Sequence, residues 1–248
     1  MNEIALNISN LSFKYPSQLN GCLDNINLSV KSGEKFGLFG PNGAGKSTLI
    51  NLLTGVLSCK NGSIEIFGEP KVNKSKSQNA VLGFVPQDFS FYNELSPKEN
   101  LFFYGALYGL NKKQINTRTT ELLDILGLMD VINKPVGQFS GGMKRRVNLA
   151  IGVIHQPKIL FLDEPTVGVD IQTRHAIISY LLDLNNSGTT LVYTSHQLSE
   201  AESLCDKIAM IDDGKIIVHD TLSNLLINHN QNDLEGLFLN LTGKAYRN

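Results

Sequence analysis

A glycine-rich segment of this sequence has the residue types of a phosphate-binding loop. Residues 40–48 read Gly-Pro-Asn-Gly-Ala-Gly-Lys-Ser-Thr, between an apolar run and a helical pattern, which fits the spacing G-x-x-x-x-G-K-[ST]. Glycines let backbone N–H groups approach phosphate oxygens without hindrance from a Cβ, and the following helix adds its positive end. In this pattern the lysine neutralises β- and γ-phosphate charge and the next hydroxyl ligates Mg²⁺. The predicted nucleotide-binding residues are Gly40, Pro41, Asn42, Gly43, Ala44, Gly45, Lys46, Ser47 and Thr48.

Two carboxylates follow another apolar run later in the chain. Asp163 and Glu164 come directly after residues 159–162, Ile-Leu-Phe-Leu, and ligands of open α/β sheets bind where such strands end. Alone, an Asp-Glu pair at this point is more often a helix N-cap or a turn. Together with the phosphate loop, Asp163 is predicted to hold Mg²⁺ and Glu164 to polarise the water that attacks the γ-phosphate.

A second anion site is predicted where a helix begins at Ser140-Gly141-Gly142. A hydroxyl, glycine N–H groups and a helix N-terminus come together there. One nucleotide does not need two such cradles. The basic run that follows, Lys144-Arg145-Arg146, is expected to be one solvated face of the same helix.

The composition limits the class of protein. Of 248 residues, 42% are apolar and 18% charged, which excludes an extensively disordered chain and a coiled coil. The formal net charge of −1 gives no global field that would attract nucleic acid. No apolar stretch approaches the length of a membrane helix, and no export signal is expected at the N-terminus. Three cysteines, far apart and without metal-ligand spacing, suit reduced thiols in the cytoplasm.

The hydrophobic patterns predict two kinds of strand. Apolar residues alternate over residues 5–33 and again near Ile64 and Ile66, which is typical of half-buried antiparallel strands. Residues 36–39, 159–162 and 191–193 are instead continuous apolar runs, as expected for a parallel sheet covered on both faces. The chain is therefore predicted to be an α/β protein.

A mainly helical block is predicted between these runs, over residues 95–156. Ser96 and Glu99 form a capping box with Pro97 at the first helical position. A second helix is expected from about Gln114, and a third before Pro157. Near the end, residues 208–218 read as a hairpin, followed by one helix and a short tail.

With these motifs in this order, the sequence resembles the ATP-binding subunits of ABC transporters over residues 4–243. In that family the signature motif, here Ser140 onward, closes over ATP held by the opposite protomer. The resemblance implies a RecA-like P-loop NTPase core with a mainly parallel sheet, an N-terminal antiparallel β subdomain and an inserted helical subdomain. It implies one ATP-binding domain over 1–248: core and β subdomain over 1–87 and 157–220, helical subdomain over 88–156, and a C-terminal helix and tail over 221–248.

The resemblance also assigns roles to single residues. Tyr15 corresponds to the aromatic residue that stacks on adenine, and Gln87 to the loop glutamine that links Mg²⁺ and water to the transmembrane partner. Asp170 belongs to the loop that crosses the dimer interface, and His196 to the switch histidine at the γ-phosphate. Taken one at a time, each of these four residues could instead be structural, as a packing residue, a turn residue or a hydrogen-bonded histidine.

The motifs depart from the family pattern at three positions. Phe139 and Met143 replace the usual leucine and glutamine of the signature, which questions a glutamine-like role at Met143; Val169 replaces leucine. Glu164 is intact, so a hydrolysing member is expected. Residues 99–109, 164–168 and 234–243 are similar to the branch that exports drugs, polysaccharides or lipids.

The expected assembly follows from one phosphate loop and one signature per chain. Two closed sites require a second ATPase chain, as a homodimer or a heterodimer. An integral-membrane permease is the expected partner, reached through Gln87, Phe89, Phe91 and Tyr92, and it would hold the protein at the cytoplasmic face of the membrane. No nucleic acid is expected.

The motifs fit other classes of nucleotide-binding protein less well. A GTP switch is disfavoured because no Asn-Lys-x-Asp motif occurs, and a small-molecule kinase does not explain the second anion site. The remaining alternative is a non-transport ABC-type ATPase that acts on a soluble partner or nucleic acid.

Overall fold

The computed structural model describes residues 3–16, 21–72, 75–195 and 198–243. Its strands are β1 (Ile4–Phe13), β2 (Leu23–Lys31), β3 (Lys35–Phe39), β4 (Asn61–Ile66), β5 (Glu69–Pro70), β6 (Leu82–Val85), β7 (Ile159–Asp163), β8 (Thr190–Thr194), β9 (Lys207–Asp212) and β10 (Lys215–Thr221). Its helices are α1 (Lys46–Thr54), α2 (Lys76–Val81), α3 (Pro97–Leu107), α4 (Lys112–Ile125), α5 (Gly141–Val153), α6 (Ile171–Asn186), α7 (Leu198–Leu204), α8 (Leu222–Asn228) and α9 (Leu234–Thr242). Short 3₁₀ turns span Met129–Val131 and Val136–Gln138.

The strands form two sheets, and the α/β class is confirmed. The smaller sheet, β2-β1-β4-β5, is antiparallel, as the alternating patterns predict. The larger sheet has the order β10-β9-β3-β8-β7-β6, and all its pairs are parallel except the β9-β10 hairpin. The carboxyl ends of β3, β6, β7 and β8 therefore meet along one edge of this sheet.

Two hydrophobic clusters cover the faces of the larger sheet. One cluster joins a face of that sheet to α1 and the antiparallel sheet, with Phe161 and Val192 facing Leu49 and Ile26. The other cluster joins the opposite face to α3, α4, α5, α6 and α9. The burial of continuous apolar strands on both faces explains why their sequences lack alternation.

The helices of the central block begin where their capping residues stand. At α3 the predicted capping box is present, because Ser96 Oγ accepts from the Glu99 N–H at 3.3 Å and Glu99 Oε2 accepts from the Ser96 N–H at 2.8 Å. Helix α4 begins at Lys112, before the expected Gln114, because Asn111 and Gln114 form a second capping box that the apolar periodicity does not reveal. Helix α5 ends four residues before Pro157.

Several elements differ from the sequence-based expectation. Helix α2 and strand β6 were not predicted, since each has six residues or fewer and β6 contains a glycine. The C-terminal segment carries two helices instead of one, α8 capped by Thr221 and α9 capped by Asp233. Within the described ranges, no helix has the length and apolar character needed to cross a bilayer.

Candidate functional site

The phosphate loop joins β3 to α1 at the carboxyl edge of the larger sheet. Gly45 has φ +107°, and a Cβ there would lie 2.6 Å from Leu23 Cδ2. A Cβ on Gly40 would lie 2.0 Å from the Ile211 carbonyl oxygen. Both positions therefore need glycine, one for its backbone conformation and both for close packing. The close packing of the loop thus accounts for two of its three glycines.

The Lys46 side chain lies inside this loop. Its Nζ donates to the carbonyl oxygens of Gly40 at 2.7 Å and Pro41 at 3.1 Å, and the residue is only 7% exposed. Burial lowers the pKa of Lys46, while the nearby charges of Glu164 and Asp163 act to raise it. The ammonium group thus lies close to both predicted carboxylates.

The carboxylates of Asp163 and Glu164 are fixed by strand β8. Thr194 is the register partner of Asp163, and its Oγ1 donates to Asp163 Oδ1 at 2.6 Å. The Glu164 N–H donates to the Thr194 carbonyl at 3.2 Å. Burial, followed by the Asp163 charge, raises the pKa of Glu164 against the opposing effects of Lys46 and Arg145. A carboxylate with a raised pKa in this position suits a general base.

Gln87 reaches this pair from the segment after β6. Its Nε2 donates to Glu164 Oε2 at 3.0 Å. This bond orients one oxygen of the carboxylate, and it leaves the amide oxygen of Gln87 as the only atom of its side chain that could ligate a cation. The structure therefore brings Gln87, Glu164 and Lys46 together, although they are far apart in sequence.

The predicted metal ligands offer a hydroxyl from Ser47, an amide oxygen from Gln87 and a carboxylate from Asp163. Oxygen donors of this kind are the ligands that Mg²⁺ prefers, completed by water and phosphate. The bond from Thr194 fixes the orientation of the Asp163 carboxylate, and the bond to Glu164 fixes that of the Gln87 amide. The residues fit a magnesium nucleotide.

Tyr15 lies beside the helix that follows the phosphate loop. Its hydroxyl is 3.2 Å from Thr48 Oγ1, and its ring stands edge-on to Phe13, with centroids 4.9 Å apart. Cys22 Sγ also donates to Thr48 Oγ1 at 3.3 Å. Tyr15 is half-buried at the rim of the predicted nucleotide site.

The signature helix and the 168–170 loop are neighbours on the surface. Ser140 caps α5 by accepting from the Met143 N–H at 3.3 Å, and Asp170 caps α6 by accepting from the Thr173 N–H at 2.8 Å. A Cβ on Gly142 would lie 3.1 Å from Thr173 Oγ1 and 3.5 Å from Asp170 Oδ2. Among the described residues, no hydrogen bond joins Ser140 or Asp170 to the phosphate loop of the same chain.

His196 lies outside the described residues, so its predicted role has no structural account here. The residues before it are buried, and Ser195 Oγ donates to Glu200 Oε2 at 3.3 Å. The same carboxylate oxygen accepts from Thr166 Oγ1 at 2.8 Å. Glu200 thereby connects the segment that leads to His196 with the turn after Glu164, a role that the sequence analysis missed.

The expectation that Lys144-Arg145-Arg146 forms one solvated face is wrong for Arg145, which is 6% exposed. Its Nη1 donates to the Gln87 carbonyl at 2.7 Å. Arg145 stands three residues after Gly142 and four before Leu149, both buried, so helical periodicity places it on the buried face. That spacing was the signal which a count of charges overlooked.

Comparisons with known proteins agree with this geometry. The family model described as "ABC transporter" matches residues 23–167. The linearmycin resistance ATP-binding protein LnrL of Bacillus subtilis is 42% identical over 200 residues, which is 81% of this chain and 64% of that protein. A Nod factor export ATP-binding protein I of Sinorhizobium fredii is 38% identical, over 87% of this chain and 62% of its own length.

A solved structure extends the similarity to the whole fold. The structure of an ATP-binding subunit of an ABC transporter matches with a TM-score of 0.87 and 27% identity, over 96% of this chain and 99% of that one. The present chain spans less than two thirds of the length of LnrL and of the Sinorhizobium protein. The phosphate loop, the signature helix and the Asp-Glu pair all lie within residues 23–167, the region that the family model matches. The chain belongs to the ABC transporter family, among its ATP-binding proteins.

Proposed function

We propose that this protein hydrolyses ATP to drive export through a separate membrane permease. The observation that carries the proposal is the meeting of Lys46, Glu164 and Gln87 at the carboxyl edge of the sheet, with Gln87 Nε2 3.0 Å from Glu164 Oε2. The direction of transport is inferred from relatives that are named for resistance to linearmycin and for Nod factor export.

ATP binding would use the phosphate loop and α1. The Lys46 ammonium would exchange its contacts with the Gly40 and Pro41 carbonyls for charge-assisted bonds to β- and γ-phosphate oxygens. Tyr15 would contact the adenine. Ser47, Asp163 and the amide oxygen of Gln87 would hold Mg²⁺, which supplies neutralising charge to the phosphates.

Hydrolysis would use Glu164 as the general base. The oxygen of a water molecule attacks the γ-phosphorus, the bond to the β-phosphate oxygen breaks, and ADP leaves. The water proton passes to the Glu164 carboxylate, whose raised pKa favours proton acceptance. The hydrogen bond from Gln87 fixes the accepting group, and His196 would contact the γ-phosphate.

A second ATPase chain would complete each site. Ser140 and Gly141 are exposed at the start of α5, next to the exposed Asp170. This surface presents a hydroxyl, the N–H groups of the first turn and the positive end of α5, all of which suit a phosphate. In a two-fold dimer, homomeric or heteromeric, it would face the phosphate loop of the partner, and ATP would hold the dimer closed.

The permease would dock beside Gln87. Phe89 and Tyr92 are exposed there, whereas Phe91 is half-buried and packs against the core. Next to them, α3 borders a groove of about 680 Å³ whose walls include Phe102, Phe103 and Leu107. An exposed apolar surface of this kind suits a protein partner. A permease bound to this surface would lie next to Gln87.

The substitution Glu164→Gln tests the proposed chemistry. The amide keeps the size and hydrogen-bonding reach of the side chain but accepts no proton. We expect ATP to bind normally, turnover to fall by about 10²- to 10³-fold, and the protein to accumulate as an ATP-bound dimer. ATPase assays and light scattering with ATP measure the two effects.

The exposed Glu235 on α9 provides the matched control for this experiment. Glu235→Gln makes the same chemical change away from the site and should keep normal turnover. Near-normal turnover of Glu164→Gln would contradict the proposed role of that carboxylate.

A further inference from the structure

Arg145 is a buried cation with a specific set of partners. It stands on α5, five residues after Ser140, and is 6% exposed. Removing a guanidinium from water is costly unless its donors find partners. The partners of Arg145 must therefore compensate for the burial of its charge.

The guanidinium contacts two segments that carry the proposed chemistry. Its Nη1 donates to the carbonyl oxygen of Gln87 at 2.7 Å, and its Nη2 donates to that of Val167 at 3.4 Å. Gln87 binds Glu164 directly, and Val167 lies three residues after Glu164. One side chain thus connects both loops to the signature helix.

The same side chain supports the surface proposed to meet the permease. The guanidinium carbon lies 4.9 Å from the centre of the Phe89 ring, which is 42% exposed. This is a cation–π contact. A displacement of Phe89 would consequently move the Arg145 guanidinium. That movement would in turn shift the backbone at Gln87 and Val167.

Asn148, one turn further along α5, fixes the ends of the same segment. Its Nδ2 donates to the Pro86 carbonyl at 3.0 Å, and its Oδ1 accepts from the Ser90 N–H at 3.1 Å. Arg145 binds the middle of this segment and is the member of the pair that also reaches the loop after Glu164. Asn148 binds the segment around Gln87, whereas Arg145 also binds the loop after Glu164 and so joins the two.

The geometry requires arginine in preference to lysine. The two carbonyls belong to different segments and need a forked donor, and the contact with Phe89 needs a planar cation. The Arg145 Nε is buried and has no hydrogen-bond partner among the described residues. The side chain is held through its terminal fork.

We propose that Arg145 is a positioning residue for ATP hydrolysis, which fixes Gln87 and the turn after Glu164 relative to each other and to α5. The proposal rests on the roles proposed above for Glu164 and Gln87. Arg145 acts through those residues, since the hydrogen bonds of its guanidinium go to the backbone carbonyls of Gln87 and Val167.

The test compares Arg145→Lys with Arg146→Lys. Arg146 is the matched control because its Nη1 also binds a backbone carbonyl, that of Leu126, but within the helical block. We expect Arg145→Lys to lower kcat by about 10- to 100-fold, as misplacement of catalytic groups does, with the affinity for a non-hydrolysable ATP analogue within about twofold of normal. Arg146→Lys should keep kcat.

A double-mutant cycle separates positioning from a general loss of structure. If Arg145 acts through Glu164, adding Arg145→Lys to Glu164→Gln should change the residual single-turnover rate little, because the two effects are not additive. Thermal unfolding of each variant verifies folding, and Arg145→Gln replaces Arg145→Lys if the latter does not fold.

Two results would overturn the proposal. The first is a kcat for Arg145→Lys within about twofold of normal. The second is a fall in kcat that is equally large in the Glu164→Gln background. Normal turnover of Glu164→Gln alone would instead overturn the role of Glu164, and the contrast between Arg145→Lys and Arg146→Lys would still decide whether Arg145 positions the site.

Discussion

Glu164 has a backbone conformation that its residue type rarely adopts. Its φ is +52°, in the left-handed region, which costs a non-glycine residue about 1–3 kcal/mol. The Thr194 carbonyl holds its N–H, Gln87 holds its carboxylate, and the next turn is tied to Arg145 and Glu200. The surrounding contacts thus fix the position of the carboxylate.

At the residue scale, His155 should make stability depend on pH. Its Nε2 lies 2.8 Å from the Leu82 carbonyl and therefore carries the proton, while its buried Nδ1 has no partner among the described residues. Burial lowers the pKa of His155 to about 4. Because the folded pKa lies below the unfolded value of about 6.5, its contribution is complete above pH 6.5 and is lost as pH falls toward 4.

This contribution amounts to about 3 kcal/mol across that window. His155→Phe keeps the stacking on Tyr108, whose ring is 3.6 Å away centroid to centroid. The variant should show a smaller decrease in the free energy of unfolding between pH 6.5 and 4, measured by urea titration. Tyr108→Phe, which leaves the histidine in place, should retain the normal slope. Equal slopes for His155→Phe and the unmodified protein would refute the argument.

The residues of the site differ in how far the sequence predicts them. The phosphate loop and the Asp-Glu pair are contiguous motifs, so their chemistry can be predicted from spacing alone. Thr194 and Glu200 are not predictable in this way, because their contacts depend on strand order and on the register between β7 and β8. The charge of Arg145 suggests solvent exposure, whereas its place in the helical period indicates burial, as the structure shows.

At the element scale, two glycines set how closely α5 lies against β6. A Cβ on Gly83 would lie 2.5 Å from the Gly152 carbonyl oxygen, and a Cβ on Gly152 would lie 2.5 Å from Val85 Cγ2. Helix α5 carries Arg145 and is capped by Ser140, so this contact fixes the distance between the helical block and the strand that leads to Gln87. The sequence pattern did not reveal β6, because four residues with one glycine form no clear period.

Gly83→Ala should therefore destabilise the protein. The added methyl would overlap a backbone oxygen, which cannot move as freely as a side chain, and overpacking of this kind costs about 1–3 kcal/mol. Gly21→Ala is the control, since its Cβ would meet no atom of the described residues nearer than 3.7 Å. This substitution should change stability by less than about 0.5 kcal/mol. Urea unfolding of both variants measures the difference. Equal midpoints would contradict the tight contact between β6 and α5.

At the scale of the whole molecule, helix α5 and its contacts connect the two proposed interfaces. Under the proposed function, Ser140 at the start of α5 would face the second ATPase chain, and the surface around Phe89 would face the permease. Arg145 and Asn148 join them within a single helix. Closure of the dimer and movement of the permease would then be coupled through α5 by contacts already present in one chain.

The groove beside α3 allows the permease contact to be tested on the full protein. Leu107 is 68% exposed at its wall, and Ile227 on α8 is 76% exposed elsewhere. Leu107→Asp places a charge in the proposed docking surface, whereas Ile227→Asp makes a similar change outside it. Both should fold and hydrolyse ATP normally as isolated proteins.

The tagged unmodified protein and the two variants would be purified from detergent-solubilised native membranes, and co-purifying proteins identified by mass spectrometry. We expect a multi-span protein in near-equal amount with the unmodified chain and with Ile227→Asp, and its loss with Leu107→Asp, because burying an unpaired carboxylate in an apolar contact is strongly unfavourable. Retention of the membrane protein by Leu107→Asp would place the docking surface elsewhere. Recovery of soluble partners alone would favour the non-transport ATPase, since ATP hydrolysis at the same site would then act on a soluble partner instead of a permease.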